Sequence, residues 1–292
     1  MPFTFSHPAA VLPLLRGLRG RGPLVACGLV AGSMAPDLPF FAESWLPGVY
    51  RFGGPTHRWW AVATVDVALT GVLVAGWQAV LRRPLLALLP VRWAEPAAAA
   101  TERPPGGGRP PRTDPPPRQL AAFALSAAIG AAGHVGWDAF THPGRVGGRL
   151  VPVLERRVAG VPLCTVLQYG SSALALAGLG DRLRRELGGG AGPAGAVRRA
   201  EPARQLGPER HLVPGRHLVP ERHLVTARRP ALARAVVGVA ALAGAAHRVR
   251  WARRGRGPHG RHDPIADLCF GAGGAALAAL AGLGVLDRLG LS

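Results

Sequence analysis

Residues 130–145 read GAAGHVGWDAFTHPGR, placing His134, Asp138 and His142 four positions apart. On a helix such a series falls within about 80° of arc, so all three side chains share one face. Pro143 disfavours helix at the residue before it, which puts His142 at the frayed end of that helix or just past it. Neutral imidazole and carboxylate are the usual ligands of zinc, manganese or iron, and an H-x3-D pair offers one ion two of them. The surrounding run is apolar, where ionisable groups are costly and tend to mark function. A His–Asp hydrogen bond between packed helices is the plainer reading of the same spacing.

Asp37 is the second candidate. It lies in GSMAPDLPFF between Pro36 and Pro39, which hold the backbone out of a regular helix. A carboxylate fixed there suits a metal ligand or a catalytic base, and equally a simple helix cap. His57 follows in GGPTHRWW, with Trp59 and Trp60 as interfacial aromatics. If the apolar runs alternate across a bilayer, Asp37, His57, His134, Asp138 and His142 collect at one face. His7 joins them only if the first short helix turns back into the bundle. Asp66 lies about 2.5 turns inside its run, as a partner orienting a ligand or as an interhelical hydrogen-bonding group. His262, Asp263 and Asp267 adjoin an Arg-rich loop and are explained by ion pairing.

These residues need elements to hold them, and the composition says which kind. Of 292 residues 48% are hydrophobic and only 17% charged, yet the net charge is +19 and every basic residue is Arg. Long apolar runs with basic loops describe an integral membrane protein rather than a soluble enzyme. The lack of Lys beside 41 Gly and 29 Pro reads as GC-rich codon bias, which weakens a nucleic-acid interpretation of the charge. Membrane helices need about 17–25 residues. Trp59–Leu81, Leu120–Trp137, Val161–Gly180 and Ile265–Leu286 qualify, and Ala231–Ala246 is a shorter fifth. Pro8–Leu18 and Leu24–Ala35 read as a short helical pair, re-entrant or packed within the bundle. The expected fold is an all-α membrane bundle of five to six spans.

Residues 1–181 form its expected core, interrupted by a Pro/Gly-rich linker at 95–118. A low-complexity linker at 182–230 precedes a C-terminal pair of membrane helices at 231–292. The second linker repeats RHLVPG, RHLVPE and RHLVTA, so His211, His217 and His223 are read as repeat rather than site. Cys27, Cys164 and Cys269 form no CxxC pair and read as small buried hydrophobes. The opening MPFTFSHPAAVLPLL lacks the basic region and A-x-A site of a signal peptide, so insertion is expected to use the later segments. Alternating spans place 22 Arg on one side and 12 on the other, which puts both linkers in the cytoplasm. Six of the 12 crowd into Arg248–Arg261 and argue the other way.

The blocks MPFTFSHPAAVLPL, AGSMAPDLPFF, THRWW and GHVGWDAFTH resemble a bacterial membrane family catalogued as domain of unknown function 4184, over roughly residues 1–180. That family is similar, in its H…PD…TH…HxxxD order, to predicted membrane-bound metal-dependent hydrolases. The resemblance implies a multi-pass protein of the bacterial cell membrane, with His7, Asp37, His57, His134 and Asp138 as ligand or catalytic positions. This chain departs from the hydrolase group in carrying THR where THS is usual.

Two functions follow as expectations. In the first, a metal-dependent hydrolase acts on a phosphoester or other lipid-linked substrate. His57, His134 and Asp138 would bind a divalent metal (zinc or manganese), with His7 and His142 as further ligand candidates. Asp37 would be the catalytic base or another ligand, and Arg58 or Arg145 would hold an anionic group. In the second, a transporter or ion-handling protein uses the same cluster without catalysis. The expected partners are the lipid bilayer and anionic lipid headgroups, not nucleic acid. Deleting residues 207–226 should leave membrane insertion and bound metal unchanged, since a low-complexity linker adds no packed core. Loss of metal from that deletion, measured by elemental analysis, would return the repeat histidines to the site.

Overall fold

A computed structural model describes residues 3–16, 19–22, 24–101, 116–188, 230–256 and 264–289. The fold is an all-α bundle. Its first element is a 3₁₀ helix over Thr4–Leu14, where Pro8 and Pro13 each lack an amide proton and prevent a regular α-helix. Strands β1 (Leu15–Arg16) and β2 (Arg19–Gly20) turn the chain back. Short helices follow: α1 (Ala26–Gly32), α2 (Leu38–Ala42), α3 (Gly53–Thr56) and α4 (Trp59–Val62). The N-terminal pair is thus packed within the bundle and reaches neither the length nor the regularity of a span.

Five helices are long and apolar enough to cross a membrane. They are α5 (Val65–Leu88), α7 (Pro116–Thr141), α9 (Leu163–Gly188), α10 (Pro230–Arg254) and α11 (Pro264–Arg288). Between them lie α6 (Val91–Thr101) and α8 (Val146–Leu150), with β3 (Arg157–Val158) paired antiparallel to β4 (Val161–Pro162). Each long helix covers one of the apolar runs, with shifted limits. The run expected from Trp59 breaks at Thr64, whose backbone leaves the helical region while its hydroxyl donates to the Trp60 carbonyl. Asp66 therefore lies in the first turn of α5 rather than 2.5 turns inside a span. The linker expected from residue 95 also starts later. Alanine-rich α6 runs to Thr101, and Arg82 donates to the Ala98 carbonyl and the Thr101 hydroxyl, at 3.1 and 3.2 Å. The linker interiors at 102–115 and 189–229, with the histidine repeat, lie outside the described residues, as do His262 and Asp263.

Two glycine seams set the helix spacing. A Cβ on Gly32 would stand 2.4 Å from the Ala127 carbonyl oxygen, and one on Gly130 would stand 2.3 Å from that of Leu29. The backbones of α1 and α7 are in direct contact there. The α10–α11 pair repeats the device, since a Cβ on Gly244 or Gly271 would meet the other's carbonyl oxygen at 2.3 or 2.4 Å. Small residues permit this approach, and dispersion between close backbones rewards it where lipid is as apolar as the side chains.

Arg248, counted above among loop arginines, is instead 2% exposed within α10. It donates to the Phe40 carbonyl at 2.9 Å and the Ser44 hydroxyl at 3.1 Å, and pairs with Asp267 at 3.4 Å. Helix α10 continues past the expected end at Ala246 and carries the guanidinium into the protein. Phe40, Phe41 and Phe270 pack beside it as one apolar cluster. Gly130→Val should force α1 and α7 apart, destabilising the chain by roughly 1–3 kcal/mol. A lowered midpoint of thermal unfolding in detergent would show it, and an unchanged midpoint would mean the seam carries no load.

Candidate metal centre

The seam between α1 and α7 delivers the first site residue. With Gly130 against Leu29, the next turn of α7 brings His134 under the end of α1, where its Nδ1 lies 2.8 Å from the Ser33 carbonyl oxygen. A carbonyl only accepts, so Nδ1 carries the proton and Nε2 presents its lone pair. The same arrangement recurs at His57, whose Nδ1 donates to the Gly53 carbonyl at 2.7 Å. His7 has an acceptor at each nitrogen, the Thr4 carbonyl 3.2 Å from Nδ1 and Asp138 Oδ1 3.2 Å from Nε2. Such hydrogen bonds to the outer nitrogen fix ring and tautomer at metal sites.

The inner nitrogens meet two carboxylates. His57 Nε2 and His134 Nε2 are 3.1 Å apart. Asp37 Oδ1 is 3.4 Å from the first and 3.5 Å from the second. Asp138 Oδ2 is 3.3 Å from His57 and 3.6 Å from His134. Ligand atoms about 2.0–2.1 Å from a tetrahedral ion stand about 3.3 Å apart. Asp37 Oδ1 and Asp138 Oδ2 are buried without a hydrogen-bond partner, although each carboxylate's other oxygen is held. Thr4 Oγ1 donates to Asp37 Oδ2, and His7 Nε2 lies 3.2 Å from Asp138 Oδ1. Asp37 Oδ1 and Asp138 Oδ2 thus each stand 3.3–3.6 Å from both inner imidazole nitrogens. Two groupings fit an ion: Asp37, His57 and His134, and His7, His134 and Asp138.

Burial raises the stakes. Exposure is 0% for Asp37 and His134, 2% for Asp138, 3% for His7 and 6% for His57. Burial pushes the Asp37 pKa up, but His134 and His57 outweigh it and hold the carboxyl well below its ordinary range. Burial pulls the His57 pKa down, and the neighbouring carboxylates of Asp138 and Asp37 outweigh that and leave it raised. His7 is lowered by burial and by His134. The carboxylates that favour a proton on His57 favour any cation at that point.

His142 stands apart from the convergence. It lies just past the end of α7, as Pro143 requires. The Gln168 amide donates to its Nε2 at 3.0 Å, leaving the proton on Nδ1, 3.7 Å from Asp138 Oδ1. Burial pushes its pKa down to about 4, and its hydrogen-bond contacts are with Gln168 and Thr141 rather than Asp138. Asp37 faces the two imidazoles with Oδ1, while Thr4 holds its Oδ2. Asp66 is fully buried, and neither of its oxygens has a hydrogen-bond partner.

Several participants had no signal in the sequence. The Ser33, Gly53 and Thr4 carbonyls are backbone and have no residue type. Thr4 sits in the distinctive opening block and Gln168 in an otherwise apolar run, but nothing in their spacing points to the cluster.

Outside the centre, a cleft of about 550 Å³ is lined by His57 and Asp138. Arg58, Trp59, Trp60, Arg145 and Arg149 line it too. The model of a family described as "Domain of unknown function (DUF4184)" matches residues 1–188, which end with α9. No curated protein and no solved structure matches the chain.

His134→Ala and Asp138→Ala should each lower bound metal, while membrane insertion, driven by the apolar helices, stays intact. Thr4→Val, which frees Asp37 Oδ2, should weaken metal affinity about 10–100-fold. Elemental analysis and competition with a chelating dye measure both. Equal metal content in all three variants would reduce the cluster to interhelical hydrogen bonding.

Proposed function

The chain belongs to the DUF4184 family, and since that family carries no assigned activity, we propose from the site itself a metal-dependent hydrolase working at the membrane surface. Its substrate is a phosphoester or another lipid-linked ester. The observation that carries this reading is the facing of two carboxylate oxygens without hydrogen-bond partners on the inner nitrogens of two imidazoles in a buried site. Two buried negative charges among neutral rings are costly, and a dication offsets them. His57 Nε2, His134 Nε2, Asp37 Oδ1 and Asp138 Oδ2 are the atoms that would hold it. Zinc and manganese suit that donor set.

A divalent ion supplies Lewis-acid chemistry, lowering the pKa of water toward 7 and polarising an ester oxygen. The chain does the rest. Thr4 and His7 grip the outer oxygens of Asp37 and Asp138 and keep the inner ones aimed. His7 is the group placed to exchange a proton beside Asp138, a task that Asp37 gives up in becoming a ligand. The net reaction adds water across the ester. Its oxygen joins the acyl or phosphoryl centre, the ester bond breaks, and its two protons end on the released acid and alcohol.

A second reading rests on Asp66. An unpartnered, fully buried carboxylate in a spanning helix suits a protein that passes a cation or proton onward. The two readings separate in one experiment. Purified chain should release product from a short-chain phosphoester, lose that activity to a chelator and regain it with zinc or manganese. Asp37→Asn should cost about a hundred-fold or more. Metal-dependent ion flux into proteoliposomes, without hydrolysis, would favour the second reading instead.

A further inference from the structure

We infer that the cleft beside the centre is a subsite for the phosphate headgroup of an amphiphile, which enters from the bilayer with its chain left in lipid. This rests on the hydrolase reading and narrows its substrate class. Arg58, Arg145 and Arg149 line the cleft together with His57 and Asp138 of the centre. None of the three arginines has a carboxylate partner among the described residues. The nearby Glu155 accepts the Gly144 amide at 2.9 Å, bracing the loop rather than neutralising it. Three uncommitted guanidiniums at one concave site suit a group that offers several charged oxygens, and phosphate accepts such forks in pairs.

The rim says where that group comes from. Trp59 and Trp60 are each 57% exposed, and they stand just ahead of spanning α5. Val146 at 44% and Leu150 at 69% flank Arg149 on α8. Indole rings settle at the headgroup level of a bilayer, and exposed aliphatic side chains beside them lie against acyl chains. His134 is seven residues before the end of α7, which puts the centre about 10 Å below the helix terminus. With the end of α7 at the outer edge of the headgroups, that is the boundary between headgroups and acyl chains, where the ester linkages of amphiphiles lie. A free anion in water would need the arginines and not this apolar rim.

The test is a binding measurement on the full chain in detergent, with metal content recorded in parallel. The probes are a short-chain phosphatidic acid, the matching neutral diacylglycerol and inorganic phosphate, titrated calorimetrically. The phosphatidic acid should bind at least ten-fold more tightly than either of the others. Combined Arg58→Gln, Arg145→Gln and Arg149→Gln should weaken it ten-fold or more with metal content unchanged, and Arg156→Gln should leave it as it was. Inorganic phosphate binding as tightly as the amphiphile would overturn the bilayer route, and equal binding of the neutral lipid would overturn the anion subsite. Binding indifferent to the triple substitution would overturn it as well. Absence of metal in a chain whose arginines still govern phosphatidic acid binding would sink the hydrolase reading and leave the anion subsite standing.

Discussion

Everything in this protein answers to one electrostatic problem, that of keeping two carboxylates and the inner nitrogens of two imidazoles in contact in a buried interior. Left alone, such groups repel one another and each costs several kcal/mol of lost hydration. They stay because every outer atom is held. A threonine hydroxyl and a third histidine restrain the carboxylates, while two carbonyls restrain the rings of His57 and His134. The glycine seam between α1 and α7 belongs to the same solution, since any larger residue would lift the Ser33 carbonyl away from His134.

The bracing extends beyond the family-matched residues. Arg248 belongs to α10, yet its guanidinium donates to the carbonyl of Phe40, three residues past Asp37. The Phe40 ring in turn lies 5.5 Å from the His57 ring, centre to centre. A buried arginine is an expensive strut, and Asp267 and the flanking Tyr50 and Phe270 rings offset its charge. The C-terminal helix pair thus acts on the turn next to Asp37, rather than only thickening the bundle. Helix α5 meets that pair through its own irregularity. Pro84 cannot donate to the Val80 carbonyl, the helix loosens into a π-turn over Trp77–Leu81, and the freed oxygen faces Gly284.

How much of this was legible depended on the kind of physics involved. Apolar runs mark spans through bulk hydrophobicity, so all five were visible, although their ends were not. Trp59 and Trp60 are as apolar as a span, and only the backbone at Thr64 separates them from it. The helical spacing of His134 and Asp138 was visible because it is local, and His57 and Asp37 were visible because alternation gathered them at one face. Which of two oxygens is orphaned, and which ring nitrogen holds the proton, depends on contacts over 101 or 131 residues of chain and leaves no trace in spacing. The burial of Arg248 was hidden for a related reason. In a helix that is apolar all round, no stripe announces which side faces protein.

His57 and His134 owe their tautomers to main-chain oxygens, and a main-chain oxygen has no codon. No single substitution at Ser33 or Gly53 can delete the acceptor itself; it can only displace the backbone that presents it. A genome that drives its codons toward Gly, Ala, Pro and Arg, a bias that fits 41 Gly, 29 Pro and no Lys, can therefore change neighbouring side chains without deleting those acceptors. The vulnerability moves elsewhere, to the few places where chain meets chain too closely for a β-carbon. Under such drift this architecture tolerates change of side-chain identity almost everywhere and change of side-chain size at a handful of glycines almost nowhere.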